Sequence, residues 1–170
     1  QEEESSQEDL AKIPVLKRED ISREIAPVFN DEMDADGVKV VHHNVETNGI
    51  GYATLMFDLS GIEEELLPYV GILQSVLGII DTANYEYGEL FNEINMNTGG
   101  IGTSLELYTD VTKVKDKEFR ATFEMKGKAL YPKMDVLFAM MREILMESRL
   151  EDEKRLKEIL AMLKSRLQMS

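Results

Sequence analysis

Few side chains in this sequence stand where they could do chemistry together. His42 and His43 are its two histidines. An imidazole pair can hold a divalent metal, but neighbours on a strand point to opposite faces, so these two cannot chelate one ion. Structural roles are the better reading for both. Glu89 and Glu93 are spaced i, i+4 and could offer carboxylate oxygens to a hard cation. The same spacing marks a solvated helix face, which amphipathic patterning favours, and the Glu63-Glu64-Glu65 run reads likewise. Gly99-Gly100-Ile101-Gly102 resembles a phosphate-cradling loop in composition only. It follows a helical pattern and precedes a strand pattern, the reverse of a dinucleotide fingerprint, so it reads as a helix stop with close backbone approach. No cysteine is present, which excludes thiol catalysis and disulfides. No acid, base and nucleophile converge. The chain is therefore assigned no catalytic residue and no metal ligand.

The elements around these residues follow from periodicity. Residues 1–9 form an acidic tail, and residues 10–36 an extended lead-in with one short helical turn after Asp20. Leu10, Ile13, Val15, Leu16 and Ile21 are candidates to anchor this arm. Residues 38–59 are expected to form a β-hairpin around Asn48-Gly49, a strong tight-turn pair. Its second arm carries Leu55, Phe57 and Leu59 on one face and Tyr52, Thr54 and Met56 on the other, as in a strand buried on both sides. A helix is expected over residues 62–80, with Ser60 to Glu63 as a capping box. Pro68 demands either a kink there or a fresh helix start. Leu66, Val70, Leu73 and Leu77 give that helix an apolar stripe widened by Ile72, Val76 and Ile79, so it should be well buried.

Tyr87, Leu90, Phe91 and Ile94 share a second helical face. Gly99 and Gly100 can end that helix. Ile101, Thr103, Leu105 and Leu107 then alternate as one face of a strand. A linking turn is expected at residues 110–117. Residues 118–126 alternate cleanly, with Phe119, Ala121, Phe123 and Met125 opposite Arg120, Thr122, Glu124 and Lys126. Pro132 opens a helix carrying Met134, Leu137, Phe138, Met141, Ile144 and Leu145. The last helix spans residues 151–168, with Leu156, Ile159, Leu160, Leu163 and Leu167. Most of the methionines lie on core stripes and read as packing.

The 170 residues are 43% hydrophobic with net charge −14, enough for one domain with a core. The acidity argues against nucleic acid as a partner, because phosphate binding needs a basic face. It suits solubility, and would also suit basic peptides. No run of about 18 apolar residues exists, so no membrane span is expected. The acidic N-terminus has no secretory or transit character. Gln1 at the start suggests a processed or excised piece.

The segments VETNGIGYATLMFDLSGI, ELLPYVGILQSVLGIIDT and YEYGELFNEINMNTGGIGTSLELY, with the lead-in DLAKIPVLKREDI, resemble the insulinase/pitrilysin zinc peptidases. The likeness is to the third homologous domain of the presequence-protease branch, and it covers nearly all of residues 8–168. A catalytic half-domain of that family carries H-x-x-E-H on its first helix. There, two imidazoles one turn apart face the zinc and the glutamate activates its water. Counting back from GIIDTANYEYGEL puts the motif at residues 72–76, ILQSV. Ile72 and Val76 cannot ligate a metal, and Ser75 is no general base. No histidine follows His43, so a register shift cannot restore the motif. The positions read as converted to core packing, worth about 1.5–3 kcal/mol for each buried aliphatic side chain.

The resemblance implies an enzyme of four homologous domains, of which only the first binds zinc and the others close a substrate chamber. The expected fold is α+β, a two-layer sandwich in the order β-β-α-α-β-β-α-α. Its sheet should be antiparallel or mixed, with helices on one face. Residues 1–36 would be tail and lead-in, and residues 37–170 one domain, truncated within a larger peptidase. The expected function is a non-catalytic domain of a zinc metalloendopeptidase that degrades unstructured peptides. It would form chamber wall and interdomain contacts, and would be inactive alone. No cofactor is expected on this chain, the zinc belonging to the parent's catalytic domain. Expected partners are the other domains of the same polypeptide and peptide substrates, with neither nucleic acid nor membrane, in a bacterial-type cytoplasm. In catalytic halves the edge equivalent to Gly99, Gly100, Ile101 and Gly102 can pair with extended substrate, so a peptide or interdomain edge is open here. The alternative is a stand-alone, catalytically dead scaffold or binding module of the same fold.

Overall fold

The computed structural model describes residues 15–24, 29–110 and 118–169. The chain divides into two compact units, residues 1–46 and 47–170. In the first unit Asp20 closes a short 3-10 turn, Arg18–Asp20, by accepting from the Lys17 amide at 2.8 Å. Strand β1 (Asp31–Ala35) then pairs antiparallel with β2 (Val38–His42). Asp36 and Gly37 connect them with φ of 53° and 85°, the positive angles that a two-residue hairpin turn requires. Asp34 Oδ1 accepts from the Gly37 amide at 2.9 Å and fixes the turn.

The expected hairpin over residues 38–59 does not form. β2 pairs backward with β1, an acidic segment whose composition gave no strand signal. Asn48 and Gly49 do make a tight turn, with φ of 52° and 81°, but it leads into β3 (Ile50–Asp58), whose partner is β5 (Phe119–Leu130). The longer alternating strand offers β3 nine paired positions, against the five that β2 makes with β1. Of the expected anchors of the arm, Val15, Leu16 and Ile21 are exposed, and Leu10 and Ile13 lie outside the described residues.

The second unit is built on a three-stranded antiparallel sheet in the order β3-β5-β4, where β4 is Ile101–Thr109. Its helices are α1 (Leu67–Val76), α2 (Tyr87–Asn97), α3 (Met134–Met146) and α4 (Glu153–Met169). This is the α+β class, with one strand more than the expected order. Leu59 N donates to Ala121 O, and Tyr131 N to Gly49 O, so odd residues of β5 bond to β3. Lys128 N donates to Gly100 O, so even residues bond to β4. Met125 lies between Leu55 and Thr103. Leu90 and Ile94 of α2 and Leu137, Met140, Met141 and Ile144 of α3 bury Met125 and Ala129. Val76, Ile80 and Ile159 form a second cluster where α4 meets the end of α1.

Pro68 sits in the first turn of a fresh helix, one of the two outcomes its ring allowed. That helix is shorter than expected at both ends. Ser60 does not cap it, since its amide is bonded to Asp58 Oδ1 at 2.8 Å and a 3-10 turn, Glu64–Leu66, intervenes. Gly78, at φ 85°, stops the far end. Two burial expectations also need correction. Tyr52 and Met56 are exposed, so β3 is not covered on both faces. Six of the ten methionines are exposed (Met33, Met56, Met96, Met146, Met162 and Met169), leaving Met125, Met134, Met140 and Met141 for packing. The expected turn at 110–117 lies almost wholly outside the described residues.

Gly127 lets α3 approach the sheet. A Cβ there would sit 2.7 Å from Leu137 Cδ1 and 3.0 Å from Met141 Cε, both fixed in the core. Gly127→Ala should therefore destabilise the fold by about 1–3 kcal/mol through overpacking. Urea denaturation checks this, and an unchanged midpoint would refute the close approach.

Candidate functional site

Helix α1 carries the positions where the sequence reading sought a metal motif. Val76 is 1% exposed and lies in the core beside Ile80 and Ile159, as packing requires. Ile72 is 38% exposed, so only one of the two expected core conversions is buried. Ser75 Oγ donates to Gly71 O at 3.0 Å, inside its own helix. Two hydrocarbons and a back-bonded hydroxyl are no donor set for zinc, and the residues present do not fit the metal.

What α1 does instead is lock onto the sheet. Gln74 Nε2 donates to Thr103 O at 3.0 Å, and Thr103 Oγ1 donates to Gln74 O at 2.7 Å. Thr103 is odd-numbered on β4, so its backbone groups face away from β5, toward the open edge. The helix thus covers that edge at one residue, a common protection for a strand end. Sequence patterning could not find this pair, because Gln74 and Thr103 carry no periodic signal linking them.

The glycine segment lies just before that lock. Thr98 Oγ1 ends α2 by donating to Ile94 O at 2.7 Å. Gly99 N donates to Lys128 O at 2.7 Å, and Gly100 takes φ 106°. The close backbone approach expected of these glycines is present, whereas the helix stop falls earlier, at Thr98, whose extended φ of −133° ends α2 before them. A cavity of about 220 Å³ opens between the end of α1 and α2, and Gly100, Ile101 and Gly102 are among the residues that line it. The structure therefore brings the glycine edge close to the end of α1, and leaves the histidines in the other unit.

Elsewhere the expected candidates stay apart. His42 is exposed, with Nδ1 3.8 Å from an Asp31 carboxylate oxygen, and His43 lies beyond the end of β2. Glu93 Oε2 accepts from Asn97 Nδ2 at 3.0 Å on its own helix. Among the described residues, no three acidic, histidine or cysteine side chains gather as metal ligands.

Two buried carboxylates escaped the sequence reading. Glu124, placed on the polar face of β5, is 0% exposed. Its Oε1 accepts from Tyr108 Oη at 2.6 Å and Thr122 Oγ1 at 2.9 Å. Lys126 Nζ stands 2.8 Å from Oε2, an ion pair rather than an aligned hydrogen bond, and also bonds Glu106 Oε1 at 3.1 Å. Burial would raise the Glu124 pKa, but Lys126, Tyr108 and Thr122 outweigh it and hold the carboxyl below its ordinary value. Glu143, on α3, accepts from the Asn84 amide at 3.2 Å and from Asn84 Nδ2 at 2.9 Å. Burial again opposes, while Thr82 and Asn84 win and lower its pKa. Glu143 thereby pins the loop between α1 and α2. Arg155 assists from α4, donating to Ile79 O at 3.0 Å and stacking 3.9 Å over the Tyr87 ring. These groups are consumed by structure, and none is free to act on a substrate.

A family model described as "Peptidase M-16C associated" matches residues 1–170. Over 161 residues the chain is 37% identical to "Protein HypA" of Clostridium perfringens, covering 95% of this chain and 16% of that protein. It is 30% identical over 161 residues to "Presequence protease 1, chloroplastic/mitochondrial" of Arabidopsis thaliana, covering 95% and 15%. It is 30% identical over 151 residues to "Presequence protease, mitochondrial" of Saccharomyces cerevisiae, covering 87% and 14%. The chain spans about one sixth of the length of the curated relatives it matches.

Because the folded pKa values of Glu124 and Glu143 are depressed, their stability is present above the ordinary value of 4.5 and is lost as pH falls through the folded values. The urea midpoint should therefore drop on acidification below that pH, and less steeply in Glu143→Gln. Tyr108→Phe, which removes one of two donors from a buried carboxylate oxygen, should lower the urea midpoint at neutral pH. Parallel acid limbs for the wild type and Glu143→Gln would contradict this assignment.

Proposed function

This chain belongs to the family of peptidase-associated domains whose model spans its whole length, and from that premise we propose that it is a non-catalytic domain of a zinc metalloendopeptidase that degrades unstructured peptides in a closed chamber. The observation that carries the reading is the state of α1. The segment where a catalytic relative would place H-x-x-E-H holds Ile72, Ser75 and Val76, and Gln74 fastens it to β4. A helix closed against its neighbouring strand supports a structural role. Presequence proteases among the relatives support a peptidase parent. In this proposal the zinc and the hydrolytic water belong to another domain of the longer polypeptide.

The contribution of this domain is wall and interdomain contact. Phe57, Leu105, Leu107 and Phe119 occupy odd positions on the sheet, on the face that carries Phe123, and all four are exposed. Phe57 and Phe123 stack with ring centroids 6.0 Å apart. An apolar sheet end of this kind is suited to burial against another domain. No helix among the described residues is long and apolar enough to cross a membrane, and the charge of −14 suits neither nucleic acid nor an anionic surface.

Purified alone, the chain should hold no stoichiometric zinc and leave a quenched peptide uncut. One equivalent of tight zinc, lost on changing His42 or His43, would overturn the reading. In the full-length protein, Leu107→Asp should weaken interdomain packing, lowering the melting temperature and peptidase activity together. Unchanged activity with unchanged melting would remove the apolar sheet end from the interface.

A further inference from the structure

A groove of about 550 Å³ runs between α1 and α4. It is lined by Gly71 and Ile72 of α1 and by Leu160, Leu163 and Leu167 of α4. Ile72, Leu160 and Leu167 are exposed, so this apolar lining stands open to solvent. Lys164 and Arg166 also line the groove, and none of its lining residues is acidic. That sign runs against the chain's net charge of −14, because α4 carries five basic residues and two acidic ones. The opposite character lies at the start of α1. Ile62, Leu66, Leu67 and Tyr69 are exposed there, with Glu63, Glu64 and Glu65 among them. None of the ion pairs among the described residues involves these three glutamates, Lys164 or Arg166.

A basic groove lined by leucines and an acidic segment bearing exposed leucines match in charge and in apolar character. They cannot meet within one copy. Pro68 itself lines the groove and directly follows Leu67, and one residue spans at most about 3.6 Å, too short a tether to fold back. We propose that a second copy of this chain fills the groove. Its residues 62–69 lay Leu66 and Leu67 against Leu160 and Leu167, and its glutamates stand beside Lys164 and Arg166. Because the acidic segment and the groove adjoin, a two-fold axis lets each copy supply both, which gives two identical contacts. Burial of the leucines supplies most of the affinity, while the exposed charges select the partner and fix the register. The pairing goes beyond the role proposed above and does not depend on it.

Sedimentation equilibrium of the 170-residue chain tests this across protein concentration. The wild type should pass from monomer to dimer and no further. Leu66→Asp should weaken the dimer at least about tenfold, as loss of a buried leucine requires. Lys164→Glu with Arg166→Glu should weaken it, and so should Glu64→Lys with Glu65→Lys. All four changes together should restore it, because the charges then match again. These positions are exposed, so melting of the monomer should be unchanged. In the wild type, an acetylated and amidated peptide of residues 61–70 should dissociate the dimer, whatever the fate of the variants. A chain that stays monomeric at about 1 mM would overturn the pairing. If such a monomer still bound the peptide, the groove would belong to a different acidic segment and not to a second copy. A dimer indifferent to both charge reversals and to the peptide would place the interface elsewhere, and failure of the fourfold variant to recover would overturn the charge match. Growth beyond a dimer would exclude the two-fold arrangement. Zinc binding and peptide cleavage by the chain would sink the preceding proposal and leave this one standing.

Discussion

Strand β5 is hydrogen-bonded along both edges, and the rest of residues 47–170 takes its position from it. Its odd residues fix β3 and its even residues fix β4, so one strand sets the register of the whole sheet. A slip of one residue would turn Met125 and Ala129 away from α3 and bring Glu124 and Lys128 toward it. Gly127 sharpens the constraint, because Leu137 and Met141 fill the space a side chain would need. Sheet register and helix position are thus decided together.

The opposite face shows what that register costs. Glu124 is carried into a site where water is excluded, and it stays charged because Tyr108, Thr122 and Lys126 surround it. Such a network stabilises less than an apolar residue could, but an incomplete one is heavily penalised. Misregistered pairing would take Tyr108 away from the carboxylate, while Thr122 and Lys126 travel with it on the same strand. Glu143 works similarly at the loop between α1 and α2, where Asn84 supplies both a backbone and a side-chain donor. The two carboxylates convert part of the chain's acidity into positional specificity.

The seam between α1 and β4 links fold to function. A catalytic zinc site must keep one coordination position open to water or substrate. Here Gln74 and Thr103 exchange two hydrogen bonds across the gap between helix and strand. The same seam is open one turn later, where Gly78 ends the helix and the cavity begins. Side chains that cannot ligate a metal and a partly closed gap are consistent with each other.

Local pattern made several elements legible. The alternation of Phe119 to Lys126 placed β5, the face of Leu90 and Ile94 placed α2, and Pro68 marked the start of α1. Ordered motifs, none decisive alone, gave the family. The reading failed where the answer depended on a distant partner. Asn48-Gly49 is a turn by its own φ preference, but nothing local says that the strand after it pairs with residues 122–130 and not with residues 38–42. Ile72 and Val76 share a helical stripe, yet only Val76 is fully buried, beside Ile80 and Ile159. Glu124 looks solvated by alternation and is buried by its neighbours across the sheet. Sequence alone determined backbone preference and which residues share a face, because both are set within a few bonds. Tertiary structure decided which faces are covered and which edges are paired, because those depend on segments brought together only when the chain closes on itself.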